Sequence, residues 1–223
     1  AFVVFLAAGT QSKAAVNMGV KQTGAGSSYV DLAWDAQLGA GHYHTQFSQD
    51  GKNWIDMDNS SSPSESVYNL TQGASYYARV VAYKGSHYTG THVMIGVSET
   101  AIVSTKPTEV SGLTQTAAGV NSVSMSWNAS AGAASYVIYG YINYNWTQIG
   151  TSATNSATIT GVAATTSTRF SVAAVKNVTG GTVTGDQCSG VEMKAIPIKV
   201  SRIAMQYYWD SLKEAKYIWT DVN

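Results

Sequence analysis

Four histidines are the residues whose type and spacing come nearest to a chemical site in this sequence. His42 and His44 alternate along one segment, and His87 and His92 flank residues 88–91. Side chains two apart in a strand share one face, so His42 and His44 project together. Neutral imidazoles are good ligands for zinc, copper or nickel. Nothing in the spacing forces the four rings to converge, so the sequence predicts no metal site and offers these histidines as the candidates for one.

An aromatic run is the second feature that could bind a ligand. It comprises Tyr139, Tyr141, Tyr144 and Trp146. Aromatic faces stack on sugar rings and on partner side chains, so one interpretation is a glycan or peptide surface. The other is ordinary sheet surface and hairpin packing, because Tyr and Trp have high strand propensity. We carry these four residues forward as a candidate ligand surface.

A catalytic set does not assemble from the sequence. It has no Gly-rich phosphate loop, nucleophile elbow, His-Glu-x-x-His zinc motif or EF-hand-like run of acids. Asp31 and Asp35 are a close acidic pair within one predicted strand, and the alternation points both to solvent. The sequence therefore predicts a protein that is not an enzyme and that uses no cofactor.

Composition narrows the partners. Thirteen basic and thirteen acidic residues give a formal net charge of zero, and no Lys/Arg cluster is present to neutralise phosphates or lipid headgroups. We therefore expect neither nucleic acid binding nor membrane insertion. The single cysteine, Cys188, permits no intrachain disulfide, and we expect it to be a small buried or half-buried strand residue.

A repeated strand indicates how the chain is organised. The segment Val30–Ala36 returns as Val123–Ala129, 93 residues later. Both copies alternate apolar and polar residues, and each has a tryptophan, Trp34 or Trp127, on its apolar face. Only 12% of residues are charged, whereas Ser, Thr, Gly, Val and Tyr are abundant, which is typical of β-sheet. The repeat predicts two β-domains of about ninety residues, in the usual size range of a domain.

The first copy continues as short strands separated by turn residues. His42–Ser48 alternates as a strand, and the Asp-Gly pair in residues 49–52 predicts a hairpin turn into a strand at Asn53–Met57. The long segment Val67–Tyr83 closes the unit. Short alternating strands at this spacing are typical of a β-sandwich.

Together these residues resemble tandem fibronectin type III domains. The resemblance lies in the tryptophan of the second strand, the hairpin between Tyr43 and Trp54, and the segment in which Leu70 precedes Tyr76 by six residues and Val80 by ten. It implies an all-β chain of two immunoglobulin-like sandwiches. It also implies that Tyr76 is the corner tyrosine, whose hydroxyl bonds backbone across the preceding loop. With that topology, the loop before His42 and the loop with His87 and His92 lie at one end of the first sandwich.

The second copy matches with more departures. Trp127 and Tyr136 repeat the positions of Trp34 and Tyr43, and Thr168 occupies the corner position, which puts the corner bond of this copy in doubt. The core residues predicted for the two copies are Trp34, Leu70, Tyr76, Val80, Trp127, Tyr136, Val162, Phe170 and Val172.

The predicted boundaries are residues 16–106 for the first domain and 107–197 for the second. Residues 1–15 are either the remnant of an export signal or an extra strand, because Phe2–Ala8 is apolar but too short to span a bilayer. Residues 198–223 are either a truncated third repeat, with Trp209 in the tryptophan position, or a helical tail with a stripe from Tyr208 to Trp219.

What the resemblance implies about function is a non-catalytic spacer and protein-interaction module of a larger secreted or cell-surface protein, perhaps from a bacterium. Its partners would be other extracellular proteins or glycans. One alternative is a carbohydrate-binding accessory region of a glycan-degrading enzyme. Another is a structural subunit of a surface assembly, in which residues 2–8 complete a neighbouring subunit's sheet by strand addition.

Overall fold

The computed structural model describes residues 15–85, 92–164 and 166–197, and these residues form strands, turns and loops. They contain no helix, and hence no helix of the length and hydropathy needed to cross a bilayer. Residues 2–8, His87 and residues 198–223 lie outside the described residues. The predictions of an export signal or extra strand, a third repeat or a helical tail therefore stay predictions.

The first domain is a β-sandwich. In the described residues its strands are β1 (Ala15–Val16), β2 (Lys21–Ala25), β3 (Val30–Ala33), β4 (His42–Ser48), β5 (Ile55–Ser60), β6 (Ser64–Val67), β7 (Ser75–Lys84), β8 (Val93–Ser98) and β9 (Ala101–Ser104). One sheet has the order β2-β3-β6. The facing sheet has the order β1-β8-β7-β4-β5, with β9 paired to the other end of β7. All pairs are antiparallel except β1 with β8.

The second domain repeats this arrangement. In the described residues its strands are β10 (Thr114–Gly119), β11 (Ser122–Ser126), β12 (Ser135–Ile142), β13 (Asn145–Ser152), β14 (Ser156–Thr160), β15 (Thr168–Val178), β16 (Gly181–Thr184) and β17 (Val191–Met193). The sheets have the orders β10-β11-β14 and β13-β12-β15-β16, with β17 paired to the start of β15. The predicted fold of two tandem fibronectin-type-III-like sandwiches is confirmed.

Each sandwich has its own core between its two sheets. Alternation places every second side chain of a strand in that core, where a buried Val, Leu or Phe contributes about 1.5–3 kcal/mol. The core residues named from the sequence are all buried: Trp34, Leu70, Tyr76, Val80, Trp127, Tyr136, Val162, Phe170 and Val172. The same tryptophan and tyrosine recur in both cores because the strand pattern recurs.

The corner tyrosine of the first domain is in place. The hydroxyl of Tyr76 accepts a hydrogen bond from the backbone N–H of Thr71 at 3.0 Å. This bond pins the loop that precedes β7, as the resemblance implies. The second domain has Thr168 at this position and so has no phenol to make the bond.

Two details differ from the sequence-based expectations. Ala15 belongs to β1 and pairs with Val97, so the first sandwich begins one residue earlier than the predicted boundary. Cys188 is buried as expected, but it lies in the loop between β16 and β17 instead of a strand. Its sulfur accepts a hydrogen bond from the N–H of Val172 at 3.2 Å, which ties this loop to β15.

Candidate functional site

The histidine cluster lies on the outer face of the larger sheet of the first domain. Strand alternation puts His42 and His44 on that face of β4, and the antiparallel register sets His42 beside Tyr83 of β7. His92 stands just before β8, the strand that pairs with β7. The pairing of three strands therefore brings together residues that are far apart in the sequence.

The rings of this cluster are close together. The ring centroids of His42 and His44 are 5.4 Å apart, those of His42 and His92 are 5.4 Å apart, and those of His44 and His92 are 6.1 Å apart. Tyr83 stacks on His42 with an interplanar angle of 9° and meets His92 edge-on. The ring of Tyr83 thus packs among the three imidazoles.

Burial shapes the chemistry of these rings. The His42 side chain is 3% exposed, and its Nδ1 lies 3.0 Å from the carbonyl oxygen of Gly85. A carbonyl only accepts, so Nδ1 carries the proton of this bond. Burial, followed by the nearby charge of Asp56, raises the pKa of Tyr83. Within the described ranges, no group of three or more His, Cys, Asp or Glu side chains is arranged to hold a metal ion.

A second group on the same face was not anticipated from the sequence. The guanidinium carbon of Arg79 lies 4.1 Å from the ring centroid of Trp54, which is cation–π geometry. Arg79 Nε donates to Gln46 Oε1 at 2.8 Å, and Gln46 Nε2 donates to Asp56 Oδ1 at 2.6 Å. A polar residue at the outward position of β7, opposite a hairpin tryptophan, is the signal that could have indicated it.

The candidate aromatic surface forms the β12–β13 hairpin of the second domain. Tyr141 and Trp146 are directly opposed across the hairpin, and their rings meet edge-on with centroids 5.3 Å apart. Tyr139 is half-buried two residues before Tyr141 and shares its face. Tyr144, at the tip, is 89% exposed. Three of the four aromatics therefore share one sheet face, and the fourth projects from the turn.

The conformation of Tyr144 is unusual for its residue type. Asn143 and Tyr144 have φ values of 49° and 63°, the pattern of a type I′ turn. Asparagine suits the first of these positions, whereas the second strongly prefers glycine. A left-handed backbone costs a residue with a Cβ roughly 1–2 kcal/mol. The hairpin therefore holds an exposed tyrosine where glycine would be less strained.

A groove in the first domain was also not anticipated. It encloses about 460 Å³ beside the turn between β4 and β5. The apolar residues that line it are Phe47, Ile55, Met57, Leu70 and Tyr76. Ile55 is 57% exposed, so the groove opens to solvent. It arises where the two sheets meet, and such a place cannot be read from the alternation of one strand.

The rim of the groove is polar. Asp50 lies at this rim, and the backbone N–H groups of Asn53 and Lys52, together with the hydroxyl of Ser48, lower the pKa of its carboxyl far below the ordinary value. The carboxylate thereby caps the turn between β4 and β5. The groove therefore combines an apolar floor with a polar, negatively charged edge.

The junction between the domains is packed and hydrogen-bonded. Ser104 and Thr105 of the linker are fully buried. The N–H of Thr179 donates to the carbonyl of Ile102 at 2.8 Å, and the N–H of Ile102 donates to Thr179 Oγ1 at 2.7 Å. These two bonds join the edge of the first domain to the second.

Two lysines add to this junction. Lys106 Nζ lies 2.7 Å from Asp186 Oδ1. The Nζ of Lys176 donates to the carbonyl of Gly73 in the first domain. Lys176 is buried, and that burial lowers the pKa of its ammonium group. The two domains are therefore connected by direct contacts as well as by the linker.

The strand order, the paired cores and the corner tyrosine define a class of protein. The chain has the fold of tandem fibronectin type III domains. No protein-family model and no curated protein sequence matches it.

Solved structures with low sequence identity are similar to the chain. One is the crystal structure of chicken CNTN1 FN1-FN3 domains, with 14% identity, a TM-score of 0.45, and coverage of 82% of this chain and 68% of that chain. Another is a segment of two fibronectin type III domains from chicken tenascin, with 17% identity, a TM-score of 0.39, and coverage of 79% and 97%. A third is the twitchin kinase region from C. elegans, with 19% identity, a TM-score of 0.36, and coverage of 48% and 19%.

Proposed function

We propose that this chain is a non-catalytic spacer and protein-interaction module of a larger secreted or cell-surface protein. The observation that carries the proposal is the junction between the domains. A flexible tether would leave its residues solvated, whereas Ser104 and Thr105 are fully buried here. A spacer must hold a constant distance between what lies before and after it, and a packed junction supports that role.

The junction combines contacts of several kinds. The paired bonds between Thr179 and Ile102 restrain the edge of the interface. Lys176 reaches the Gly73 carbonyl from a buried position, so movement of the domains apart would leave a buried ammonium group without this acceptor. Bending at the junction therefore has a cost that a plain linker lacks.

The spacer role is tested by the distance between spin labels in the two domains. Ser62→Cys and Ala153→Cys place labels at exposed loop positions, one in each domain. Double electron–electron resonance on the dilute chain should give a single narrow distance distribution. Thr179→Ala combined with Lys176→Met should broaden it, because both sets of contacts across the junction are lost.

Lys194→Ala is the matched control, because Lys194 is exposed in the second domain. It should leave the distribution unchanged. A distribution in the parent chain as broad as that of the junction variant would contradict the spacer role.

A second candidate function is carbohydrate binding by the β12–β13 hairpin. The exposed rings of Tyr141 and Tyr144 favour it, since aromatic faces stack on sugars. A pull-down on insoluble polysaccharides, with Tyr141→Ala as the matched variant, tests it. Retention that Tyr141→Ala abolishes would support a glycan-binding accessory region, and no retention on any polysaccharide would argue for the spacer.

A further inference from the structure

We propose that the β12–β13 hairpin tip of one copy of this chain docks in the first-domain groove of another copy, with Tyr144 as the anchor. The contact joins two different surfaces, so it is heterologous and extends copies into a line. This inference does not depend on the spacer role, which concerns the junction within one chain.

The hairpin tip has the composition of a docking surface. Tyr141 and Ile142 are exposed beside Tyr144, and Trp146 supports Tyr141 from the opposite strand. Tyrosine and tryptophan dominate the energetics of protein interfaces. The aliphatic Ile142 within the patch favours a protein partner over a sugar, whose stacking uses aromatic faces.

The strained turn is a separate observation that favours a binding role. Tyr144 occupies a left-handed position at which glycine would be less strained, and its side chain is exposed. Strained residues that gain no packing within their own domain are candidates for function. The side chain of Tyr144 is thus placed for contact with another molecule.

The groove of the first domain is complementary to this tip. Its volume of about 460 Å³ is within the range of roughly 300–1,000 Å³ that proteins use for ligand clefts, so it has room for a tyrosine side chain. Its floor is apolar at Phe47 and Leu70, and its rim offers Asp50 and Asn69 to a phenolic hydroxyl. An aromatic ring with one polar end matches this pattern.

The charge of the chain supports a second copy as the occupant. Thirteen basic and thirteen acidic residues give a formal net charge of zero, so copies do not repel each other at long range. A tip in a groove buries little area, and small interfaces of this kind are weak and transient. The association is therefore expected at high concentration.

Sedimentation velocity on the purified chain, over concentrations on the order of 10 µM to 1 mM, tests the proposal. The parent chain should show a sedimentation coefficient that rises with concentration through dimers to longer species. Tyr144→Gly should reduce the association at least about tenfold, a loss of about 1.4 kcal/mol. It should also raise the Tm, because glycine suits the turn, so lost association cannot be ascribed to misfolding.

The groove has its own variant and a matched control. Ile55→Asp changes an exposed residue of the groove and should reduce association to the same degree. Leu38→Asp changes a residue that is 95% exposed outside both surfaces, and it should leave association unchanged. A mixture of Tyr144→Gly and Ile55→Asp chains should form mixed dimers but no longer species, because only one intact tip and one intact groove remain in each pair.

Each other outcome overturns the proposal. A parent chain that stays monomeric at every concentration shows that the two surfaces do not bind. Loss with Tyr144→Gly but not with Ile55→Asp shows that the tip docks elsewhere, including tip against tip. Equal loss in all three variants, Leu38→Asp included, shows non-specific association through exposed apolar residues.

Discussion

The hydroxyl of Tyr43 accepts a hydrogen bond from the backbone N–H of Gln37 at 3.0 Å, while its ring stands edge-on to Trp34. The second domain has the same relationship, in which Tyr136 contacts Trp127 and accepts from the N–H of Ser130 at 3.0 Å. One tyrosine thus contributes to the core and restrains the loop before its own strand. The sequence repeat is the trace of this double role.

Removal of the Tyr43 hydroxyl should destabilise the first domain. In Tyr43→Phe the ring still packs on Trp34, but the N–H of Gln37 loses its partner, so we expect a loss of about 1 kcal/mol in the free energy of unfolding. Urea denaturation measures it. Tyr77→Phe, at an exposed tyrosine, is the control and should change stability by less than about 0.5 kcal/mol. Equal effects of the two substitutions would contradict the role given to this bond.

Glu99 should make the stability of the first domain depend on acid pH. Burial by itself raises the pKa of Glu99, but backbone N–H groups, those of Met18 and Val20 among them, donate to the carboxylate and hold the pKa below its ordinary value. The unfolded chain therefore binds more protons than the folded chain. The stabilisation is present above about pH 4.5 and is lost as the pH falls through the lowered pKa.

Unfolding free energies of the parent chain and Glu99→Gln, compared between about pH 3 and pH 7, measure this effect. The difference between the two proteins should be largest at neutral pH and should shrink in acid. Glu109→Gln, at an exposed position, is the control. A difference that does not change with pH would show that Glu99 contributes by packing instead of charge.

The stacking of Arg79 on Trp54 should be specific to a guanidinium group. Arg79→Lys keeps the charge but loses the planar group and the Nε donor to Gln46, so we expect a loss of about 0.5–1 kcal/mol. Denaturation and the fluorescence of Trp54 report it. Lys52→Arg, in an exposed turn, should be neutral. The cation–π assignment fails if lysine at position 79 is equally stable.

The histidine cluster should not hold a stoichiometric metal ion. Among the described residues no three donors are arranged to hold one, although the rings of His42 and His92 are 5.4 Å apart. Elemental analysis of the purified chain after dialysis should find zinc well below one ion per chain. One zinc per chain that disappears in His44→Ala would contradict this expectation.

Much of the fold could be predicted from local patterns. The strand His42–Ser48 was predicted with the bounds it has, because its alternation is regular and turn residues flank it. The prediction for β5 was less accurate, since the strand runs from Ile55 to Ser60 instead of from Asn53 to Met57. The residues after Asp50 are held in a turn by that carboxylate, and a residue pattern does not show which N–H groups a side chain will accept from.

The candidate sites were less predictable. The candidate histidines and aromatics could be named, but their spacing in space depends on strand register. The groove beside Asp50 and the stacking of Arg79 on Trp54 have no local signature. Both arise where segments distant in the sequence meet, and one sequence without relatives does not specify such meetings.

By itself the sequence determined the strands, the two cores and the repeat of Trp34 and Trp127, because burial of every second side chain imposes a period of two. Only the tertiary structure decided how the domains meet and which surfaces are open. Thr179 and Ile102 are 77 residues apart, and their bonds depend on how two finished sandwiches pack. The physical reason is range: alternation acts between neighbours along a strand, whereas a junction or a groove is defined by surfaces that exist only after both sheets have formed.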